Sequence, residues 1–72
     1  MNRTGVIYGI NGPVVYIKGN TGFKMAEMVY VGKEKLVGEV IGLDKDRTTI
    51  QVFEETTGIK PGEIVEATGD AI

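Results

Sequence analysis

The sequence predicts an all-β fold, a barrel or sandwich of about five or six short strands. Short runs rich in β-branched and aromatic residues alternate with glycine, proline and charged turn signals along the chain. No stretch sustains the 3.6-residue period of an amphipathic helix, so we expect essentially no helix. Because closure removes the free edges of so small a sheet, a barrel is favoured.

The strongest strand signal is a central hairpin. Its arms, residues 36–43 and 48–54, contain no proline and flank the polar break 44–47. With Lys45 and Asp46 as the loop, three cross-strand pairs are predicted on one face: Ile41 with Ile50, Leu43 with Thr48, and Glu39 with Val52. A slip of one residue would scatter the apolar side chains over both faces, so we reject it.

The other face of this hairpin pairs Phe53 with Gly38 in the predicted register. An aromatic ring at that place can cover backbone that a glycine leaves bare. The type of the loop stays open, because Asn-Gly is a stronger two-residue turn than Lys45-Asp46.

A first hairpin is predicted from residues 6–17. Its first strand is expected to carry three apolar residues on one face, Val6, Tyr8 and Ile10. Asn11-Gly12 is a strong turn signal, and Pro13 then fixes φ at the entry to the second strand and removes one donor.

The remaining chain contains two further strand signals. Residues 18–24 form a glycine-punctuated loop before a strand at 28–31, and a charged turn follows at 33–35. Pro61-Gly62 is a turn signal that precedes a short closing strand at 64–67.

Length and composition limit the possible functions. The chain has 72 residues, a net charge of −2, and neither cysteine nor histidine. We expect one domain over 1–72, with the barrel at about 4–67 and a truncated exit segment at 68–72. Because the chain has no cysteine and no histidine, disulfides are absent and a zinc site is close to excluded. The acidic balance argues against a nucleic-acid partner, which would need a basic face.

Three motifs suggest chemistry but are better explained as surface structure. Residues 19–24 lack the glycine spacing and the following helix of a phosphate loop. The acidic turn 44–46 lacks the glycine and the terminal glutamate of a calcium loop. Glu54 and Glu55 are adjacent in a strand, so they point to opposite faces and cannot act on one atom.

Other residues also fit structural roles better than catalysis. Phe23, Met25 and Met28 are either core residues or an adaptable contact surface, and core is favoured by about two to one. Threonines are present, but no histidine can activate one, so we expect no intrinsic catalysis. No signal peptide or membrane-length apolar run is visible, and an intracellular location is the default expectation.

Three segments, residues 5–15, 31–41 and 50–69, resemble the catalytic and non-catalytic subunits of rotary ATPases. The opening Gly-Val-Ile-Tyr-Gly-Ile-Asn-Gly-Pro-Val-Val is shared across that superfamily. The run Gln-Val-Phe-Glu-Glu-Thr-Thr-Gly-Ile-Lys-Pro-Gly-Glu at 51–63 is specific, and it is similar to the catalytic A subunit of V-type and archaeal A-type ATPases. The B subunit resembles it but usually has glycine at the position of Glu55.

This resemblance implies a closed six-stranded antiparallel β-barrel with Greek-key character, the N-terminal domain of the A subunit. Such barrels alternate with neighbouring B-subunit barrels in a ring at the top of the hexamer, away from the membrane, and hold it together while lower domains open and close. The resemblance also implies that the domain is cytoplasmic and has no direct contact with the membrane. When isolated, such a domain is expected to be monomeric or to associate weakly. ATP and magnesium would be bound by the family's downstream domain.

We therefore assign no catalytic, cofactor-binding or metal-binding residue to this chain. Structural and turn roles are assigned to seven residues: Asn11, Gly12, Pro13, Gly38, Phe53, Pro61 and Gly62. The chain departs from the family at Lys45, where glycine is frequent, and in its length.

Two other functions stay open. One is a free-standing small barrel that binds a ligand or nucleic acid, and the other is a homo-oligomer that uses on itself the edge that meets the B subunit. The acidic pI of about 5.0 argues against the first. So does the expected dispersal of its aromatic residues over several strands: Tyr8, Tyr16, Tyr30 and Phe53.

Overall fold

A computed structural model describes residues 3–19 and 22–72 of the protein. This part of the chain contains no helix and forms six strands: β1 Thr4–Asn11, β2 Val14–Lys18, β3 Glu27–Val31, β4 Leu36–Leu43, β5 Arg47–Val52 and β6 Ile64–Ala71. All pairs are antiparallel, and the sheet closes into a barrel in the order β1-β2-β5-β4-β3-β6. The predicted all-β barrel is confirmed. Because β6 returns to lie beside β3 after the β3-β4-β5 meander, the connection is a Greek key.

The core is filled by β-branched residues from every strand. Eight inward-facing aliphatic side chains are at most 1% exposed: Ile7, Val15, Ile17, Val29, Val31, Val40, Ile50 and Val65. Phe23 and Ile59, from the loops, are buried against the two ends of this cluster. Valine and isoleucine fit a pleated surface that is buried on one side, which is why these segments form strands.

The first hairpin turns one residue later than the Asn-Gly signal indicates. Asn11 pairs with Val14, so Gly12 and Pro13 are the two central residues. Gly12 has φ of 59°, and a left-handed glycine at the first central position is typical of a type II′ turn. The fixed negative φ of Pro13 suits the second central position.

A β-bulge at Tyr8 corrects the predicted face of β1. The pairing with β2 shifts between Ile7 and Gly9, and the extra residue reverses the alternation beyond it. Val6 and Tyr8 do face outward together, but Ile10 pairs with Val15 and packs partly against the core. The prediction that all three share one face was wrong for Ile10.

The central hairpin has the predicted loop. Asp44 and Arg47 exchange two backbone hydrogen bonds, with N···O distances of 2.8 and 3.3 Å, around Lys45 and Asp46. Neither loop residue has a positive φ, so the turn is not type I′. Leu43 pairs with Thr48, as predicted.

A second bulge, at Ile41, makes the other predicted pairs of this hairpin wrong. Val40 rather than Ile41 pairs with Ile50, and Glu39 pairs with Gln51 rather than Val52. Ile41 is therefore turned outward and is 43% exposed. Val40 and Ile41 are adjacent β-branched residues, and the position of the bulge determines that Val40 enters the core.

Phe53 does not cover Gly38. Gly38 pairs with Val52, whereas the N–H of Phe53 donates to the Val37 carbonyl and its ring is half exposed. A Cβ at Gly38 would lie 2.9 Å from the Gln51 carbonyl oxygen and 3.0 Å from Cγ2 of Ile50. The glycine is required by backbone and core crowding, and the predicted ring contact was wrong.

The later turns agree with their signals. Lys35 N–H donates to the Gly32 carbonyl across the charged turn, at 3.1 Å. The Glu63 N–H donates to the Lys60 carbonyl at 3.2 Å, and Gly62 has φ of 99°, which defines Pro61-Gly62 as a type II turn. β6 continues through Ala71 instead of ending at residue 67.

Replacing Gly38 by valine should destabilise the fold by about 1–3 kcal/mol, because the added side chain must displace backbone and core atoms. The urea midpoint of unfolding, followed by circular dichroism, measures this. Gly9→Val is the matched control, since its Cβ would make an ordinary contact of 3.5 Å with Tyr16. Equal midpoints for Gly38→Val and the native chain would contradict the inward placement of Gly38.

Candidate association surface

The turn residues singled out from the sequence lie mainly at one end of the barrel. Thr56 Oγ1 donates to the Gly12 carbonyl at 2.8 Å, and Val52 N–H donates to the Pro13 carbonyl at 2.8 Å. At the same end, the Gly62 N–H donates to the Ile7 carbonyl at 2.8 Å. The segment between β5 and β6 is thereby fixed to the first hairpin, and Ile59 covers the core beneath it.

Glu63 is a further linking residue at this end. Its carboxylate accepts hydrogen bonds from the backbone N–H groups of Lys33 and Lys60, at 2.9 and 3.1 Å. Two turns far apart in sequence are joined through one side chain. The Pro-Gly-Glu signal located the turn, but nothing local to it indicated the contact with Lys33.

At the opposite end, Glu27 forms a network that the sequence analysis missed. This residue is 3% exposed and receives a bidentate ion pair from Arg3. The backbone N–H groups of Lys24 and Gly69 also donate to it, at 2.9 and 2.8 Å. One carboxylate therefore connects the start of the chain, the loop before β3, and β6. Its inward position at the start of β3 was the only available signal, because Val29 and Val31 share that face.

The surroundings of Glu27 lower the pKa of its carboxyl. Burial alone raises this pKa, because it penalises the charged form. Hydrogen bonds from Arg3 and from the Lys24 and Gly69 amides, with the charge of Arg3, together outweigh burial. Glu27 is thus held as a carboxylate, which fits a structural acceptor.

Two tyrosines form an exposed cluster with two cations on β1, β2 and β5. The rings of Tyr8 and Tyr16 are 6.3 Å apart between centroids. Lys18 Nζ lies 5.9 Å from the centroid of Tyr8, and Arg47 Cζ lies 4.7 Å from that of Tyr16. These distances are in the range of cation–π contacts. Tyr8, Tyr16 and Tyr30 do lie on three different strands, as expected, but the pairing of β1 with β2 brings the rings of Tyr8 and Tyr16 together.

The outer surface also carries apolar side chains that a lone barrel leaves in water. Val6 and Ile64 are paired across the β1–β6 seam and are 52% and 44% exposed. Tyr30 pairs with Val37, which lies beside the exposed Phe53. Exposed apolar patches of this kind are typical of interaction surfaces.

The three residues left open between core and surface divide between these roles. Phe23 is 3% exposed and belongs to the core, Met25 is 57% exposed, and Met28 is partly buried on the outer face. Met25 is available for contact, whereas Phe23 is not.

Among residues 3–19 and 22–72, no group of three or more acidic side chains is placed to hold a metal ion. Glu54 and Glu55 are both exposed beyond the end of β5. Within the same ranges, no helix has the length and apolar character needed to cross a membrane.

Comparison with known proteins identifies the family. Residues 7–69 match the model of the ATP synthase alpha/beta family, beta-barrel domain. The chain belongs to this family. The match covers all six strands in part or in full, and the resemblance inferred from the sequence is confirmed.

Relatives of this family barrel come from V-type and A-type ATP synthases. The chain is 58% identical over 65 residues to the V-type ATP synthase alpha chain 2 of Clostridium tetani, covering 90% of this chain and 11% of that one. It is 53% identical over 72 residues to the V-type ATP synthase alpha chain of Halothermothrix orenii, covering 100% and 12%. It is 54% identical over 68 residues to the A subunit of the A-type ATP synthase of Methanopyrus kandleri, covering 94% and 12%. The chain therefore spans about an eighth of the length of these relatives.

Glu27→Gln should lower the free energy of unfolding at neutral pH by about 1–3 kcal/mol, because it leaves Arg3 and two backbone amides without a charged acceptor. The folded pKa of Glu27 lies below its ordinary value of 4.5. The contribution of Glu27 to the free energy of unfolding is therefore complete at pH values above 4.5, and it is lost as the pH falls through the folded pKa. Urea unfolding over a pH series should show the deficit of the variant shrinking in acid.

Glu55→Gln, at an exposed site, is the control and should stay within about 0.5 kcal/mol of the native chain. A deficit for Glu27→Gln that stays constant from neutral to acid pH would contradict the ionised role of Glu27.

Proposed function

We propose that this chain is a structural assembly module of the catalytic A subunit of a V/A-type ion-transporting rotary ATPase. In this role it forms part of the N-terminal crown of an alternating A/B hexamer, on the cytoplasmic side and away from the membrane. The rest of the complex carries out ATP synthesis or hydrolysis coupled to H⁺ or Na⁺ transport. The observation that carries the proposal is the family match over residues 7–69 together with relatives that are ATP synthase A subunits.

The surface of the barrel supports an assembly role. Val6, Tyr8, Ile64 and Phe53 are all between 44% and 52% exposed, and a ring would bury such groups against neighbours. An interface between domains commonly covers about 600–1,500 Å² and is partly polar. Because association costs several kcal/mol of rigid-body freedom, an isolated pair should bind weakly. In a hexamer the other domains keep the barrels at high effective concentration, so modest contacts suffice.

A free-standing binding module is the second candidate, and the tyrosine–cation cluster is the observation in its favour. Aromatic rings beside cations are what single-stranded nucleic acids stack on. The net charge of −2 and the neighbouring Asp44 and Asp46 weaken this candidate. A salt-sensitive titration with a labelled oligonucleotide tests it.

The isolated chain should bind no nucleotide, since its sequence contains no phosphate loop. Isothermal titration with magnesium-ATP should give no heat beyond dilution. A dissociation constant in the micromolar range would contradict this prediction.

The main activity of the chain should be weak lateral association. We expect a monomer at about 1 μM and a weak oligomer near about 1 mM. The matching barrel of a B subunit should bind more tightly than a second copy, because the proposed ring alternates. Amide chemical shifts recorded on mixing would measure both affinities, and light scattering would detect a stable homo-oligomer.

An unrelated acidic barrel serves as the control partner for these mixtures. Equal shifts with it, or no shifts at high concentration, would favour the free-standing binding module.

A further inference from the structure

The charged residues within the strands are separated by sign into two halves of the barrel. Strands β1, β2 and β5 are consecutive in the sheet, and their charged residues are the cations Lys18 and Arg47. Strands β4, β3 and β6 are also consecutive, and their charged residues are all acidic: Glu27, Glu39, Glu66 and Asp70. We call these the basic half and the acidic half. In a closed barrel, two sets of three adjacent strands lie on opposite sides.

The basic half combines charge with aromatic surface. Lys18 and Arg47 lie over the rings of Tyr8 and Tyr16, and both cations are exposed. Asp44 and Asp46 border this half only at the β4–β5 turn. The outward strand positions themselves hold no carboxylate.

The acidic half mixes carboxylates with apolar side chains in the same way. Glu27 is buried, so its outward carboxylates are Glu39, Glu66 and Asp70. Glu39 pairs with Met28 across β3 and β4, while Tyr30 pairs with Glu66 across β3 and β6. Glu66 also forms an ion pair with Lys35, in the turn just before β4.

We propose that the basic half is the surface with which this barrel binds the acidic half of a second copy of this chain, head to tail. The inference rests on the proposed function, since a closed ring built from one fold needs two different, complementary faces on each member. Opposite charges steer encounter and fix orientation, and like faces repel each other. The tyrosines of the basic half and the Met28–Tyr30 strip of the acidic half provide the apolar contact between the charges.

Charge reversal on each half tests the proposal with the native chain as reference. One variant carries Lys18→Glu and Arg47→Glu, and the other carries Glu39→Lys and Asp70→Lys, which leaves the Glu66–Lys35 pair intact. Each variant alone should self-associate at least about tenfold more weakly than the native chain, because both of its faces then carry one sign. An equimolar mixture should recover the native affinity to within about threefold, because reversed faces again meet opposite charge.

Sedimentation equilibrium and amide shifts near about 1 mM measure these affinities. The recovered association should weaken when salt rises from about 0.05 to about 0.5 M. Matched controls change the net charge equally outside the strands: Lys33→Glu with Lys60→Glu, and Glu34→Lys with Glu54→Lys. The controls should associate like the native chain, and urea midpoints must show that every variant is folded.

Three outcomes would overturn the inference: variants that associate like the native chain, a mixture that does not recover, or no association in any sample. It would also fail if Lys18→Glu with Arg47→Glu abolished oligonucleotide binding and left self-association unchanged.

Binding to a B-subunit barrel separates the two proposals. If the native chain binds that barrel but the charge reversals leave self-association unchanged, only this inference fails. If the native chain does not bind it, the assembly function fails, whatever the reversals do.

Discussion

Closure at the seam between β1 and β6 is the constraint on which the rest of the barrel depends. Three residue pairs span this seam, from Thr4–Glu66 to Val6–Ile64, whereas five span β2 and β5. Arg3 extends the seam, because its carbonyl accepts the Ala67 N–H at 2.8 Å and its guanidinium binds the buried Glu27. Without this closure, Ile7 and Val65 would lie beside open strand edges. The Arg3–Glu27 ion pair at the margin of the core thus reinforces a seam that only three residue pairs span.

Crowding inside so narrow a barrel explains part of its glycine content. A Cβ at Gly5 would lie 2.5 Å from Cγ2 of Ile17, and one at Gly38 would meet the Gln51 carbonyl. Small barrels fill their interior with side chains and leave no spare volume. A bulky β-branched residue on one strand therefore requires a glycine on a neighbouring strand. Other glycines serve turns instead, as Gly12 and Gly62 do with their positive φ.

Local signals predicted the strands and turns, but they could not predict the bulges. The Pro61-Gly62 and Lys45-Asp46 turns depend on neighbouring residues alone, and both were found in place. Ile41 and Val40 are equally suited to the core, so the choice between them depends on an extra residue in the ladder, which alternation does not reveal. The Arg3–Glu27 pair joins residues 24 positions apart, and surface charge is the usual interpretation of either residue. For the candidate association surface, the types of residue could be read from the sequence, but their arrangement on the barrel could not.

The separation of charge arises from strand order and not from sequence order. Along the chain, charged strands alternate as basic β2, acidic β3 and β4, basic β5 and acidic β6. The Greek key brings β5 beside β2 and β6 beside β3, and this step alone gathers like charges. Exposed charges contribute little to stability, and like charges on neighbouring strands contribute less. The arrangement is therefore not explained by the stability of one barrel, and the contact that we propose between barrels would give it a physical reason.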